Sequence, residues 1–583
     1  MGQFLVVTAR PQSPEAVEQA RALEALAHDQ GLSLARLEDT GWIATLGPRH
    51  PRRLQVGPWT LIGEVFDRRS PDYEGIGPHD PLAYEKKMMA RLWGRYVGIR
   101  RDRDGTPSAV LRDPSGALEC VVWRAGALTI LGSFAPAWLV AYLKPDWRID
   151  RDRLADALSN PLAGTGALIL DGPLALEPGT HQVLPPDAPA DVLWRPSDYA
   201  RDSLGPRPSL ETAAARLRDA VDETVAGLAS LCEPLACEVS GGLDSSIVAS
   251  SLSRLGPGRV GLWLNAVGAV PEADERRWAD ALADHLGIAV SNVPHAKAPL
   301  TAETLEAIGQ GLRPGLNGLD PTHDQDWADR LTHLGLGAVM TGKGGDALFQ
   351  QAIPEVFTDR WRARGWRSLL EPDTVALAAA NERSVWAMAR QAQAFGKNDA
   401  PAPARRSLAL PPTHSPPPHP WLKDLDAFGP AKRLQIAGVA DGVSRHGPSL
   451  LTAAVEVLHP FCSQPVVEAC LRLDAGLLVL GGRDRGLARH AFAGRLPSVI
   501  VARRSKGDMS RIYGRAVADA LPVLRPWILD GRLVEMGLVD RAAAERLLTR
   551  DSLIWRGRAS TLLATAAVEA WVRVWEGRLG RRA

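Results

Sequence analysis

Leu235-Ala236-Cys237-Glu238-Val239-Ser240-Gly241-Gly242-Leu243-Asp244-Ser245-Ser246-Ile247-Val248 decides the fold of this chain. A short apolar run reads as a strand. It feeds a Ser-Gly-Gly turn, and Asp and two Ser then open an apolar-periodic helix. Glycines let a backbone approach an anion closely, and the free N–H groups of a helix N-terminus point at it, so the stretch reads as a phosphate cradle. The Lys-Ser/Thr pair that would close a Walker A loop is missing after the last Gly.

Outward from this loop the pattern stays strand–helix. Ala213 to Leu228 is helical, Val260 to Val267 is a second strand, and Glu272 to Leu286 is an amphipathic helix stopped by Gly287. Gly337 to Thr341 is a further strand, ending in Gly342-Lys343-Gly344-Gly345-Asp346. Such alternation predicts a doubly wound parallel sheet with ligands at the carboxyl ends of its strands. The remainder to Ala583 reads as mainly helical. Before it, the first ~200 residues read as strand and turn. Gly94–Ile99 and Ala109–Arg112 pair across Asp102–Gly105, and Asp113-Pro114-Ser115-Gly116 is a turn. Pro and Asp crowd residues 185–208, the expected linker, which divides the chain into 1–200 and 208–583. Residues 396–420 are Pro-rich and read as a surface loop over the site.

At 583 residues the chain exceeds one core, and two domains are expected. A net charge of +1 offers no field for a polyanion, so no nucleic-acid partner is expected. No apolar run reaches membrane-spanning length and no signal peptide is legible, so a cytoplasmic protein is expected. Five cysteines, an odd number with no CxxC pair, read as reduced thiols. Most of the 18 Trp are assigned to packing.

Four separated elements converge on one chemistry: Ser240–Ser246, Gly342–Asp346, Glu456-Val457-Leu458-His459-Pro460-Phe461, and Ala502-Arg503-Arg504-Ser505-Lys506. Attack on a phosphate of ATP needs Mg²⁺, which takes one or two carboxylates plus phosphate oxygens. Asp244 and Asp346, each at a strand end, can face one ion. Lys506 supplies a fixed cation for developing negative charge, and Glu456 could hold an attacking amine and take its proton. Plainer readings exist for each: Asp244 as a helix cap, Asp346 as a turn residue, Lys506 and Glu456 as solvated surface.

This set resembles the asparagine-synthetase superfamily across almost the whole chain. Ser240-Gly-Gly-Leu-Asp-Ser-Ser246 matches its pyrophosphate loop, and Asp274-Glu275 with Trp278-Ala279 resembles the Asp-Glu-x-x-x-Ala helix. Gly342-Lys-Gly-Gly-Asp346 resembles its second loop, Glu456-x-x-x-Pro460-Phe461 the segment in which β-lactam synthetases use the Glu beside the amine, and Arg503–Lys506 the late Arg-x-Lys element. The resemblance implies a PP-loop ATP pyrophosphatase-type sheet that forms AMP and pyrophosphate through an adenylate. Ser240, Gly241, Gly242, Asp244, Ser245, Ser246, Gly342, Gly344 and Gly345 would bind the nucleotide. Asp244 and Asp346 would hold Mg²⁺. Leu262, Leu264 and Val267 would lie at the adenine. Gly94-Arg95-Tyr96, Asp113-Pro114-x-Gly116 and Leu176-Glu177-Pro178-Gly179 resemble the family's glutaminase domain, an Ntn-type αββα fold. An active glutaminase carries a Cys after the initiator Met, whereas Gly2 stands here, so the amine is expected from elsewhere.

Lys343 replaces the Glu or Tyr of relatives, and Ser463 their Asp. Together with Lys432-Arg-Leu-Gln-Ile436, His459–Gln464, Gly481-Gly-Arg-Asp-Arg485 and Arg504-Ser-Lys-Gly-Asp508, this looks most like the lasso-peptide cyclases. That implies an ATP-dependent macrolactam synthetase acting on a core peptide, with a leader peptidase and a leader-recognition protein as partners. A β-lactam-synthetase-type enzyme and an ammonia-dependent amidating enzyme remain open readings.

Overall fold

The computed structural model describes residues 2–580 apart from 38–39, 71–75, 78, 161–166, 269–273, 296–299, 318–319, 352, 395–407, 411–418, 445, 505–509 and 557–558. Lys506 and most of the Pro-rich loop at 396–420 fall outside the described residues.

The N-terminal part is two six-stranded antiparallel sheets packed face to face. Strand alternation builds the layers. In Gln3–Ala9, Phe4 and Val6 point into the space between the sheets, where they meet Ile62, Val97 and Val110. Leu5 and Val7 point outward to helix Pro14–Asp29, meeting Ala16, Ala20 and Leu23. The outer face of the second sheet is covered in the same way: Trp59, Trp93 and Tyr96 pack on helix Leu210–Ala229 through Leu217, Val221 and Val225. The expected hairpin is Leu92–Arg101 against Pro107–Arg112, turned by Gly105 N–H donating to Asp102 O at 3.0 Å.

The C-terminal sheet has five parallel strands: β1 (Leu235–Glu238), β2 (Val260–Val267), β3 (Val290–Pro294), β4 (Ala338–Met340) and β5 (Glu456–Leu458). Their spatial order is β3-β2-β1-β4-β5. The chain moves outward from β1 to β3 and then returns to the other side of β1 at β4. The crevice between the ends of β1 and β4 is therefore a topological switch point, the place where such sheets bind ligands. One face is covered by helix Leu210–Ala229 and helix Leu243–Ser253, and the other by helix Pro321–His333, whose Trp327 and Leu331 pack on Leu264, Val339 and Val457. Helix Arg276–Leu286 ends where Gly287 turns left-handed at φ 65°, as its sequence predicts.

The helical C-terminal region returns to the first half of the chain. Trp571 and Trp575 of helix Ala559–Leu579 are fully buried, both donate to Gly311 O, and Trp575 lies 6.0 Å from Trp147. Most tryptophans pack in this way, while Trp366, Trp386 and Trp555 are exposed. Ion pairs also cross between the halves: Arg68–Glu468 at 2.7 Å, and Arg313–Glu119 at 2.5 Å, with Arg112 holding Glu119 at 2.6 Å from within the first half. All five cysteines are free. Among the described residues no helix is long and apolar enough to cross a membrane.

Candidate active site

Two glycine-rich loops meet at the switch point, and their glycines are dictated by that contact. Gly241 sits at φ 65°, with Trp278 Cβ only 2.7 Å from where a side chain would begin. A Cβ on Gly342 would lie 2.5 Å from Ser245 N, and one on Gly345 would lie 2.6 Å from Asp244 Cγ. The second loop therefore rests directly on the first turn of helix Leu243–Ser253, leaving that helix's N-terminus to face the crevice. Ser245 fixes the first loop: Ser240 N–H donates to its Oγ at 3.2 Å, and its own hydroxyl reaches Gly242 O at 3.2 Å. Ser246 is fully buried and donates to Gly242 O at 2.7 Å. It braces the turn from behind instead of lining it, which corrects its expected place among the phosphate contacts.

Asp244 and Asp346 are brought together as the sequence predicts, and they share a cation, Arg485, whose motif is visible in the sequence but carries no assigned role there. Arg485 Nη1 donates to Asp244 Oδ2 at 3.0 Å and also to Asp346 Oδ1, while Nη2 holds Asp484 at 2.8 Å. Arg485 is buried in the left-handed region at φ 52°, its N–H held by Gln350 O at 3.1 Å. Burial alone would lower its pKa, but the three carboxylates more than offset that and raise it, so the guanidinium stays charged. Two oxygen donors already converging on one positive charge suit Mg²⁺, which completes its shell with phosphate oxygens and water. The glycine cradle suits a polyphosphate.

Arg503 carries the third element. It forms a bidentate pair with Glu275 at 2.5 and 2.6 Å, donates to Gly241 O at 3.0 Å, and stacks 3.7 Å from the centre of the Trp278 ring. The Asp274-Glu275…Trp278 motif thus anchors the segment that leads to Lys506, tying it to the first loop. Lys506 itself lies outside the described residues.

Two expected site residues are not brought to the loops. Leu264 packs its side chain into the sheet core and its carbonyl accepts Val239 N–H at 2.8 Å, so its side chain is not presented to the crevice. Glu456 is the first residue of β5, at the end of the sheet away from the loops. It is 2% exposed, accepts Gly2 N–H at 2.8 Å and pairs with Arg95 at 3.0 Å. Burial raises its pKa, but Arg95 and the Gly2 N–H more than offset this and hold the carboxyl below its ordinary value. A carboxylate committed in this way is a poor proton acceptor, and Glu456 acts instead as a clasp between the two halves.

Two predictions arise from the clasp. The folded pKa of Glu456 is depressed, so its stabilisation is complete above the unfolded value and is lost as pH falls through the folded one. In urea titrations, the stability difference between wild type and Glu456→Gln shrinks as pH drops below the ordinary carboxylate value of about 4.3. The second concerns Gly2, where a Cβ would meet Arg49 O at 2.2 Å and Pro51 Cδ at 2.8 Å. Gly2→Cys therefore forces backbone apart and costs about 1–3 kcal/mol. Calorimetry shows the lowered melting point, and glutamate release from glutamine stays at background.

The family model for asparagine synthase matches residues 216–573. No curated protein matches the chain.

Proposed function

The chain belongs to the asparagine synthase family, and from that premise we propose that it closes a macrolactam ring on a peptide, forming AMP and pyrophosphate. The family's members are ATP-dependent carbon–nitrogen ligases, and an amide ligase is the general activity. The observation that carries the reading further is the closed space at Gly2. Relatives that hydrolyse glutamine need a thiol there, and here the space is filled by Arg49 and Pro51 and clasped by Glu456. On this reading nitrogen enters from the substrate itself, and the resemblance of the Gly481–Arg485 and Arg504–Asp508 motifs to lasso-peptide cyclases supports a core peptide carrying its own N-terminal amine.

Each residue has a defined task on this reading. The N–H groups around Gly241 and Gly242 cradle the phosphates. Asp244 and Asp346 would hold Mg²⁺, which neutralises the triphosphate against an incoming carboxylate. Arg485 keeps the aspartate pair compact, and Lys506 would supply a positive charge for the charge that develops on phosphorus and then on the carbonyl. An Asp or Glu side chain of the peptide becomes the acyl adenylate, and the peptide's amine displaces AMP. Held together, amine and acyl group react at an effective molarity of about 10⁵–10⁸ M. A leader peptidase and a leader-recognition protein supply the substrate in a cytoplasmic setting.

Incubating the purified chain with ATP, Mg²⁺ and a pool of short peptides, each with a free N-terminal amine and one internal Asp or Glu, tests this. The expected products are AMP and a peptide lighter by one water. AMP formed from aspartate and ammonium without peptide, or from a small β-amino acid, refutes the peptide reading.

A further inference from the structure

A second polar cluster lies at the carboxyl ends of the strands. His295 follows β3 and is tied to the end of β2 through its N–H to Val267 O at 2.9 Å. Its ring stacks on His323 with centroids 4.7 Å apart and planes 5° from parallel, and its Nε2 lies 3.1 Å from Asp320 Oδ2. Asp320 caps helix Pro321–His333, so His323 and Asp324 stand in the first turn of that helix. Lys343, exposed on the second glycine loop, is near enough to act electrostatically on both His323 and Asp324.

Such a cluster is costly if it serves packing alone. His323 Nδ1 and one oxygen of Asp324, Oδ2, are buried and have no hydrogen-bond partner among the described residues, although Ser449 lends the Asp324 carboxyl a hydrogen bond. A buried polar atom left without a partner costs about 1–3 kcal/mol, and apolar side chains would fill the same space at no such cost. Amide formation, in turn, needs a proton acceptor near the activated carbonyl. Glu456 is committed to Arg95 and Gly2, and Asp244 and Asp346 to Arg485.

We propose that Asp324, with His323 beside it and Lys343 within electrostatic reach, accepts the proton of the attacking amine in the ring-closing step. The assignment rests on the amide-ligase reading above. The amine lone pair forms the C–N bond to the acyl carbon, and the carbonyl π pair moves onto oxygen. The N–H proton passes to the Asp324 carboxylate. The oxyanion then reforms the carbonyl, breaking the C–O bond to phosphate, and AMP leaves with that bonding pair. Burial lifts the Asp324 carboxyl to about 6 against the opposing pull of Lys343 and Ser449. Burial, with His295 and Lys343, lowers His323 to about 4 against Asp320 and Asp326. At neutral pH the carboxylate is ionised and the imidazole neutral, the states an acceptor needs.

The test separates the two half-reactions. With the same peptide pool, peptide-dependent exchange between ATP and labelled pyrophosphate reads adenylation, and the dehydrated peptide reads ring closure. Asp324→Asn and His323→Gln keep exchange within twofold, which also reports an intact fold. Asp324→Asn lowers dehydrated product by about 10²-fold or more, and AMP then accompanies unchanged, hydrolysed peptide. Product within twofold of wild type in both variants overturns the assignment. So does a parallel fall of exchange and product, which marks a structural or nucleotide-binding role. Wild-type chain that shows no exchange with any peptide overturns the function reading and this assignment together.

Discussion

Asp244→Asn lowers AMP formation by about 10²–10³-fold while the circular dichroism spectrum stays that of the wild type. Asn has the shape of Asp, so the contact with Gly345, which leaves no room for a Cβ, is preserved. The charge is what disappears. Asp244 sits in the first turn of helix Leu243–Ser253, buried between the two glycine loops, and shares Arg485 with Asp346. On the proposed function, a single carboxylate would then remain to hold a divalent ion against the triphosphate. The loss therefore falls on turnover, and at saturating ATP excess Mg²⁺ recovers little of it. Rates within fivefold of wild type would place the metal elsewhere.

Arg485→Met has the largest effect on stability. The Arg485 side chain is 7% exposed and contacts Asp244, Asp346 and Asp484 at once. Removing it leaves the buried Asp244 carboxylate beside the more exposed Asp346 and Asp484 with no cation; solvent screens the exposed pair, so the loss is about 2–3 kcal/mol, read as a lower urea midpoint. Adding Asp244→Asn to the same chain removes part of the repulsion and restores part of the stability. A cation can take the vacated role, so Mg²⁺ raises the midpoint of Arg485→Met more than that of wild type. Arg485→Lys keeps charge but loses the fork that reaches several carboxylates, and falls between the two. An unchanged midpoint in Arg485→Met would show that the carboxylates are satisfied without it.

What was legible in the sequence was local. The strand-turn-helix at Leu235–Val248 and the strand-turn at Gly337–Asp346 are written in adjacent residues, and the meeting of Asp244 with Asp346 follows from strands that end side by side. Arg485 reaches Asp244 across 241 residues and Asp346 across 139. The Gly481–Arg485 motif was visible but nothing in its spacing names those partners, and its left-handed backbone carries no sequence mark. Glu456 misled for a related reason. A Glu four residues before Pro-Phe does not say at which end of its strand it falls, and the register of Ala338 against Glu456 puts it at the start of β5. Ser246 and Leu264 were placed by pattern at positions that burial turns inward. The His295–Asp324 cluster was illegible because its members come from the end of β3 and the first turn of a later helix, joined only by packing.

On the proposed function, the two loops activate a carboxylate as an adenylate. This step is tested most directly with a peptide whose side-chain carboxylate carries oxygen-18. Adenylation routes one labelled oxygen into the phosphate of AMP when the amide forms, so AMP heavier by one such oxygen is expected beside unlabelled pyrophosphate. Unlabelled AMP, or label recovered in inorganic phosphate beside ADP, would contradict it.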